Sequence, residues 1–155
     1  MTVLAYRNGI LAADRLIWLG SGAVAGECRK ITRLKSGGLV AVAGSQSTAT
    51  LFPKWLEDKS QDTPKVVSEH GFRAIEIAPD GVVTLWDELL QPTTYEAEFY
   101  VAGCRAAFTL GALYAGASAE EAVRLTLRYT DVGSSDNAVD VVHLKQPANW
   151  SLGWQ

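Results

Sequence analysis

An Asn-Gly pair close to the N-terminus constrains this chain more than any other feature of its sequence. Asn8 and Gly9 lie between two short apolar runs that end at Tyr6 and begin at Ile10. Asn-Gly between apolar runs is a strong signal for a β-hairpin with a tight turn. Because successive side chains point to opposite faces of a sheet, the turn geometry decides which residues of the two strands meet.

One compatible geometry is a two-residue type I′ loop over residues 8–9. This loop pairs Arg7 with Ile10. Counting outwards from that pair, it places Thr2 opposite Arg15.

The other compatible geometry is a three-residue loop over residues 7–9, with its glycine in the left-handed region. This loop pairs Tyr6 with Ile10. It brings Thr2 opposite Asp14, with both side chains on one face of the sheet. A threonine that becomes N-terminal after loss of the initiator methionine would then lie beside a carboxylate, an arrangement that suits an N-terminal nucleophile.

Composition excludes several classes of partner. The chain has 155 residues, 48% of them hydrophobic and 20% charged, with a net charge of −3. We expect a single domain over residues 1–155, with residues 146–155 as an aromatic C-terminal tail. The lack of a basic stripe or a long apolar run argues against nucleic acid and membrane as partners. Cys28 and Cys104 have no metal-ligand spacing, so we expect free thiols, no metal, no cofactor and a cytoplasmic location.

The remaining pattern predicts strands, one helix, more strands, two paired helices and a last strand. Residues 20–26 read as a flexible connection, and Ser47 or Thr50 can cap the first helix. A continuous apolar run over residues 39–43 indicates a strand buried on both faces. The segments in order are hairpin 30–43, a helix around 51–56, hairpin 72–86, strand 98–102, helix 105–114, a helix after the capping box of residues 118–121, and strand 139–144. This order predicts an α+β fold, a four-layer αββα sandwich of two antiparallel sheets between helix layers.

Several short motifs occur in an order that carries a family resemblance. They are Thr2 in the first strand, Gly-Ile-Leu-Ala-Ala-Asp ending at Asp14, Lys30-Ile31, Val-Ala-Val-Ala-Gly ending at Gly44, Ala102-Gly103-Cys104, and Tyr129-Thr130-Asp131 with Ser134. With these motifs the chain resembles the β-type subunits of the proteasome and HslV family, N-terminal threonine peptidases of the Ntn-hydrolase fold. The likeness extends to about Leu144.

The resemblance implies a role for each of the first matching residues. Thr2, exposed by removal of Met1, would be the nucleophile, and its own α-amine would be the base. Lys30 would favour the neutral form of that amine, since a nearby cation disfavours a second one. Asp14 would hold Lys30 in position.

Four further residues belong to the implied site. By the family pattern the backbone N–H of Gly44 would form the oxyanion hole, and loss of one such donor typically costs about 100-fold or more in rate. Asp131 and Ser134 would hydrogen-bond around the Thr2 amine. Cys104-Arg105 stands where the family usually has Ser-Gly, and a thiol is a weaker donor than a hydroxyl.

Two functions of different classes follow. The first is a threonine peptidase in a self-compartmentalised homo-oligomeric ring, acting on peptides or unfolded proteins, for which the resemblance implies a separate AAA+ unfoldase as partner. The second is a catalytically inactive proteasome-like shell or assembly protein, which retained Met1 would favour. An Ntn amidase of small amides is a third possibility, but such enzymes commonly use an N-terminal Cys or Ser.

The catalytic hypothesis selects one hairpin register. Catalysis is expected to require Thr2 and Asp14 on the same face with Lys30 between them, and only the three-residue turn provides this, with Tyr6 paired with Ile10 and a positive φ at Gly9. The residues expected on the Thr2 face are then Leu4, Tyr6, Ile10 and Ala12, and those expected on the opposite face are Val3, Ala5, Leu11 and Ala13. Pairing of Arg7 with Ile10, with Asp14 on the face away from Thr2, is expected to rule out catalysis and to favour the inactive shell protein.

Overall fold

The computed structural model describes residues 1–19, 22–65, 71–131 and 137–145. Their strands are β1 (Val3–Arg7), β2 (Ile10–Asp14), β3 (Leu16–Trp18), β4 (Val24–Glu27), β5 (Ile31–Arg33), β6 (Leu39–Ala43), β7 (Arg73–Ile77), β8 (Val83–Trp86), β9 (Pro92–Thr94), β10 (Phe99–Gly103) and β11 (Val139–His143). The helices are α1 (Gln46–Glu57), α2 (Ala106–Tyr114) and α3 (Ala119–Tyr129). Within these ranges, no helix has the length and apolar character needed to cross a membrane.

The first sheet has the strand order β10-β1-β2-β11, and all its neighbours are antiparallel. Its outer face packs on α2 and α3 through a core that includes Val3, Ala5, Ala12, Leu113, Val123 and Leu127. Helix α3 begins at the capping box that the sequence predicts. Ser118 Oγ accepts from the Glu121 N–H at 3.1 Å, and Glu121 Oε2 accepts from the Ser118 N–H at 2.8 Å.

The second sheet has the order β5-β6-β7-β8-β9 and carries α1 on its outer face. Strand β6 is buried at every residue, as its apolar run predicts. Leu39, Ala41 and Ala43 contribute to the core between the two sheets, whereas Val40 and Val42 pack in the core beneath α1. A strand packed on both faces requires layers on both sides. The predicted four-layer α+β sandwich is therefore confirmed.

Two local expectations were wrong. Part of the connection after β3 is ordered, because β4 pairs with β3 and the Cys28 N–H donates to Arg15 O at 2.7 Å. The cap of α1 is Ser45, whose Oγ accepts from the Thr48 N–H at 3.3 Å.

The register of the first hairpin is the two-residue alternative. Arg7 pairs with Ile10, and Asn8 (φ 52°) and Gly9 (φ 76°) both have positive φ, as a type I′ turn requires. The predicted positive φ at Gly9 is confirmed, but the predicted pair of Tyr6 with Ile10 is wrong. The physical reason is that Asn tolerates the left-handed region, so both central positions of the tighter turn can be filled.

The corrected register also changes which residues share a face. Leu4, Tyr6, Leu11 and Ala13 contribute to the core between the sheets, and Val3, Ala5, Ile10 and Ala12 pack with α2 and α3. By alternation along the strands, Thr2 belongs to the first set and Asp14 to the second.

The turn gives a stability test with two glycines of opposite character. Gly9→Ala should lower the free energy of unfolding by about 1–2 kcal/mol, because its φ of 76° is unfavourable for a residue with a Cβ. Gly111→Ala should raise it by about 0.5–1 kcal/mol, because Gly111 lies inside α2 and a Cβ there meets nothing within 4 Å. Urea denaturation followed by circular dichroism measures both. Equal stabilities of the two variants would contradict the turn assignment.

Candidate active site

The side chain of Asp14 is completely buried and accepts three hydrogen bonds. Oδ1 accepts from the Val3 N–H at 2.7 Å, and Oδ2 accepts from the Leu16 N–H at 3.0 Å and from Lys30 Nζ at 2.7 Å. Asp14 is the last residue of β2, so its carboxylate lies between the backbones at the start of β1 and of β3. Both oxygens of this buried carboxylate therefore have hydrogen-bond donors, one of which is a cation.

Lys30 connects this carboxylate to Thr2. Its Nζ donates to Asp14 Oδ2, to Thr2 Oγ1 at 2.9 Å and to Met1 O at 3.3 Å. An ammonium has three hydrogens, so these acceptors use all of them. Since Thr2 Oγ1 accepts from Lys30, the hydroxyl hydrogen of Thr2 is left to donate elsewhere.

The expectation that only the three-residue turn could bring these groups together was wrong. Thr2 and Asp14 alternate to different faces, but Lys30 precedes β5 of the second sheet and reaches both side chains. Asp14 is the last residue of β2, and its carboxylate contacts the Val3 and Leu16 N–H groups as well as Lys30.

Strand β10 holds Thr2 from the other side. The Cys104 N–H and thiol both donate to Thr2 O, with N···O and S···O distances of 2.8 and 3.2 Å. Burial raises the pKa of the Cys104 thiol, which keeps it protonated and able to donate. Gly103 has a φ of 93°, and a Cβ there would lie 2.1 Å from Thr2 O, so the close approach of the two backbones requires glycine. Cys104 thus contacts the carbonyl of Thr2.

Asp131 is engaged by a neighbour that sequence reasoning did not consider. Arg105 Nε donates to Asp131 Oδ1 at 2.6 Å, and Arg105 Nη2 donates to Asp131 Oδ2. Hydrogen bonds from Arg105 lower the pKa of Asp131, and the same contact raises the pKa of Arg105. Among the described contacts, Asp131 has none with Thr2. Ser134 lies outside the described residues.

Arg105 has a left-handed conformation, with a φ of 56°, at the N-cap of α2. This is the position where the resembled family usually has glycine, for which left-handed backbone carries no Cβ penalty. The departure was visible in the sequence. Its consequence, the pair with Asp131, depends on two loops that only the fold brings together.

A cleft of about 950 Å³ opens over Thr2 and Lys30 and includes Gly44 in its wall. Gly44 follows β6, and a Cβ there would meet the Phe72 ring at an ordinary 3.5 Å, so any requirement for Gly44 would come from its backbone. The structure thus brings four predicted residues to the lining of one cleft, namely Thr2, Lys30, Gly44 and Cys104. Asp14 is buried behind Lys30 and does not line the cleft.

Other lining residues were missed by sequence reasoning. They include Ile17, Trp18, Gln46, Arg73 and Glu88. Strand pairing could have indicated Arg73, because it lies opposite Ala43, the residue before Gly44. The others have no motif around them.

No protein-family model and no curated protein sequence matches this chain. Among solved structures, eukaryotic HslV from Trypanosoma brucei is similar, with 20% identity and a TM-score of 0.65 over 92% of this chain and 98% of that one. The Thiobacillus denitrificans protein BPH, solved in complex with epoxomicin, is similar with 16% identity and a TM-score of 0.64, over 94% and 99% of the two chains. These similarities show that the chain shares the HslV and proteasome-like fold.

The buried ion pair makes a quantitative prediction. Lys30→Met should lower the free energy of unfolding by about 3–5 kcal/mol, because it leaves the Asp14 carboxylate buried without its cation. The double variant Lys30→Met/Asp14→Asn should recover part of that loss. Denaturant titration measures all three proteins.

Lys35→Met is the matched control. The Lys35 side chain is 89% exposed and lies 3.9 Å from Glu57, so its loss should cost less than about 1 kcal/mol. If Lys30→Met lowered the free energy of unfolding no more than Lys35→Met, the Lys30–Asp14 pair would not stabilise the fold as expected.

Proposed function

We propose that this chain is a proteasome-like threonine peptidase, which hydrolyses amide bonds with the Thr2 hydroxyl and α-amine once Met1 has been removed. The observation that supports this most directly is the Lys30 ammonium, which donates to Thr2 Oγ1 while the buried Asp14 neutralises it. A threonine that serves only as a strand residue has no need of a buried, neutralised cation at its hydroxyl.

The proposed reaction begins at Thr2 Oγ1. The oxygen attacks the substrate carbonyl as its proton passes to the free Thr2 amine, and the Lys30 ammonium stabilises the charge that develops on the oxygen. The N–H of Gly44 binds the oxyanion of the tetrahedral intermediate. When the C–N bond breaks, the leaving amine takes the proton, and water then hydrolyses the acyl ester and restores the Thr2 hydroxyl.

We also propose that the active form is a homo-oligomeric ring in the cytoplasm, which acts on peptides or unfolded proteins with a separate AAA+ unfoldase as its partner. The ring assembly is supported by a set of exposed apolar side chains on α2 and α3, namely Phe108, Tyr114, Leu125 and Tyr129. Large exposed apolar side chains on neighbouring helices are candidates for a subunit interface.

The alternative is a catalytically inactive shell or assembly protein. Retention of Met1 would favour it. While Met1 is joined to Thr2, the Thr2 nitrogen is an amide and cannot accept the proton. The engagement of Asp131 by Arg105 points the same way, since it occupies a carboxylate that the family pattern assigns to the amine.

The state of Thr2 decides between the two functions. Intact mass spectrometry should show loss of Met1 and, after treatment with a peptidyl epoxyketone, addition of one probe per chain. Thr2→Ala should add none, because the probe needs both the hydroxyl and the free amine of Thr2. Retained Met1 together with an unlabelled wild-type protein would contradict the peptidase and leave the shell.

Assembly is tested by light scattering. The wild-type protein should have a mass several times that of one chain, and Tyr114→Glu, which places a charge on the exposed α2 surface, should lower it. Val82→Glu is the matched control, because Val82 is also exposed but follows the β7–β8 turn. A monomeric wild-type protein would rule out the ring.

A further inference from the structure

The side chain of Arg105 starts one residue away from a contact with Thr2. Cys104, the residue before it, donates to Thr2 O through both its N–H and its thiol. The Arg105 guanidinium contacts both oxygens of the Asp131 carboxylate, with Nε 2.6 Å from Oδ1. The Cys104 thiol lies within electrostatic range of both Arg105 and the N-terminal ammonium. An ion pair therefore lies close to the N-terminal strand of the candidate site.

The helix pair holds the backbone of Arg105 in place. Its carbonyl accepts from the Thr109 N–H at 3.1 Å, and the Thr109 hydroxyl lies 3.2 Å away. Thr109 is completely buried, and its Oγ1 lies 2.8 Å from Oγ1 of Thr126 in α3. Contacts in the core therefore support the left-handed φ of 56° at Arg105, and the guanidinium extends from a defined position beside Thr2.

The charged side chains that line the described part of the cleft are compensated. They are Lys30, Arg73 and Glu88. Lys30 is neutralised by the buried Asp14 behind it, and Arg73 is neutralised by Glu88. Neither of these two ion pairs leaves a net charge beside Thr2.

Three further ionisable groups lie on the β10 side of the site, namely Cys104, Arg105 and Asp131. Burial raises the pKa of the Cys104 thiol, which keeps it protonated and uncharged. The side chains of Arg105 and Asp131 are 49% and 62% exposed. Their hydrogen bonds lower the pKa of Asp131 and raise the pKa of Arg105, so both stay ionised at neutral pH. The balance of charge near Thr2 therefore depends on this pair.

The balance matters because an amine must be neutral to accept a proton. An unperturbed α-amine has a pKa of about 7.7–8.0, so much of it is an ammonium at neutral pH. An unpaired carboxylate nearby favours the ammonium and raises that pKa, whereas an unpaired cation disfavours the ammonium and lowers the pKa. A carboxylate near Thr2 would therefore reduce the neutral fraction of its amine unless another group offset the negative charge.

Building on the proposed function, we infer that Arg105 is a positioning residue that keeps the Thr2 α-amine neutral by offsetting the charge of the Asp131 carboxylate. The resembled family usually has glycine at this position, and glycine has no side chain that could bind a carboxylate. The contact that removes Asp131 as an acceptor for the ammonium thus favours the amine as a general base. Arg105 acts through Asp131 and takes no part in the chemistry.

The test is a titration of the Thr2 amine, which needs no turnover. The protein that begins at Thr2 is treated with a trace of acetic anhydride across a series of pH values. Mass spectrometry of the N-terminal peptide then gives the acetylated fraction at each pH, and from it the pKa of the amine.

Two single variants should move that pKa in opposite directions. Arg105→Gln should raise it by about 0.5, because Asp131 is left unpaired, and Asp131→Asn should lower it by about as much, because Arg105 is left unpaired. The double variant, and Arg105→Lys, which keeps the cation, should both lie near the wild-type value. The differences should shrink in about 1 M salt, since exposed charges are screened. A merely structural role of Arg105 would not give shifts of opposite sign.

The rate of labelling by the peptidyl epoxyketone should follow the same change. At neutral pH, Arg105→Gln should be labelled about 3-fold more slowly than the wild-type protein, because a pKa raised by about 0.5 leaves about one third as much neutral amine. At a pH well above the pKa of the amine, the two rates should be equal.

Arg124→Gln is the matched control. It removes the same charge from an exposed ion pair with Glu120 on α3, outside the cleft lining, and should leave the pKa of the amine unchanged. Equal pKa values in the wild-type protein and both single variants, or shifts of the same sign in the two, would overturn the inference. Opposite shifts in a wild-type background that the epoxyketone does not label would support the inference and count against the peptidase alone.

Discussion

The structure depends on one buried charge, the carboxylate of Asp14. A carboxylate removed from water is costly unless donors surround it, and here the donors come from the start of β1, the start of β3 and Lys30. Satisfying that charge therefore joins the first sheet to the segment that enters the second. The same requirement places the Lys30 ammonium at the Thr2 hydroxyl, so the stability of the fold and the geometry of the site share one interaction.

The site exists because two sheets end at the same place. The first sheet supplies Thr2, and its neighbour β10 approaches so closely that Gly103 is required beside it. The second sheet supplies Lys30 before β5 and Gly44 after β6. The helices cover the outer faces of the two sheets and bury their apolar residues. The left-handed Arg105 is the clearest departure from the resembled family, since its side chain binds a carboxylate of the implied site.

Much of the architecture could be predicted from the sequence, because local patterns encode it. The existence of a hairpin at Asn8-Gly9, though not its register, follows from an Asn-Gly pair between two apolar runs. The double burial of β6 follows from an uninterrupted apolar run. The capping box can be predicted from the sequence, because Ser118 is followed three positions later by Glu121. The order of these elements was sufficient to predict the four layers, and the family resemblance was sufficient to nominate Thr2 and Lys30.

Tertiary structure alone decided the rest. The two possible hairpin registers differ by one residue in the turn. The flanking residues are apolar on both faces of the hairpin and both faces are buried, so the apolar pattern is compatible with either register. The contact of Lys30 with both Asp14 and Thr2 depended on where the second sheet lies against the first. The pairs of Arg105 with Asp131 and of Arg73 with Glu88 join segments distant in the chain. Sequence patterns report the face of a residue within its own element, whereas the partners of a side chain at an element's end are set by the packing of other elements.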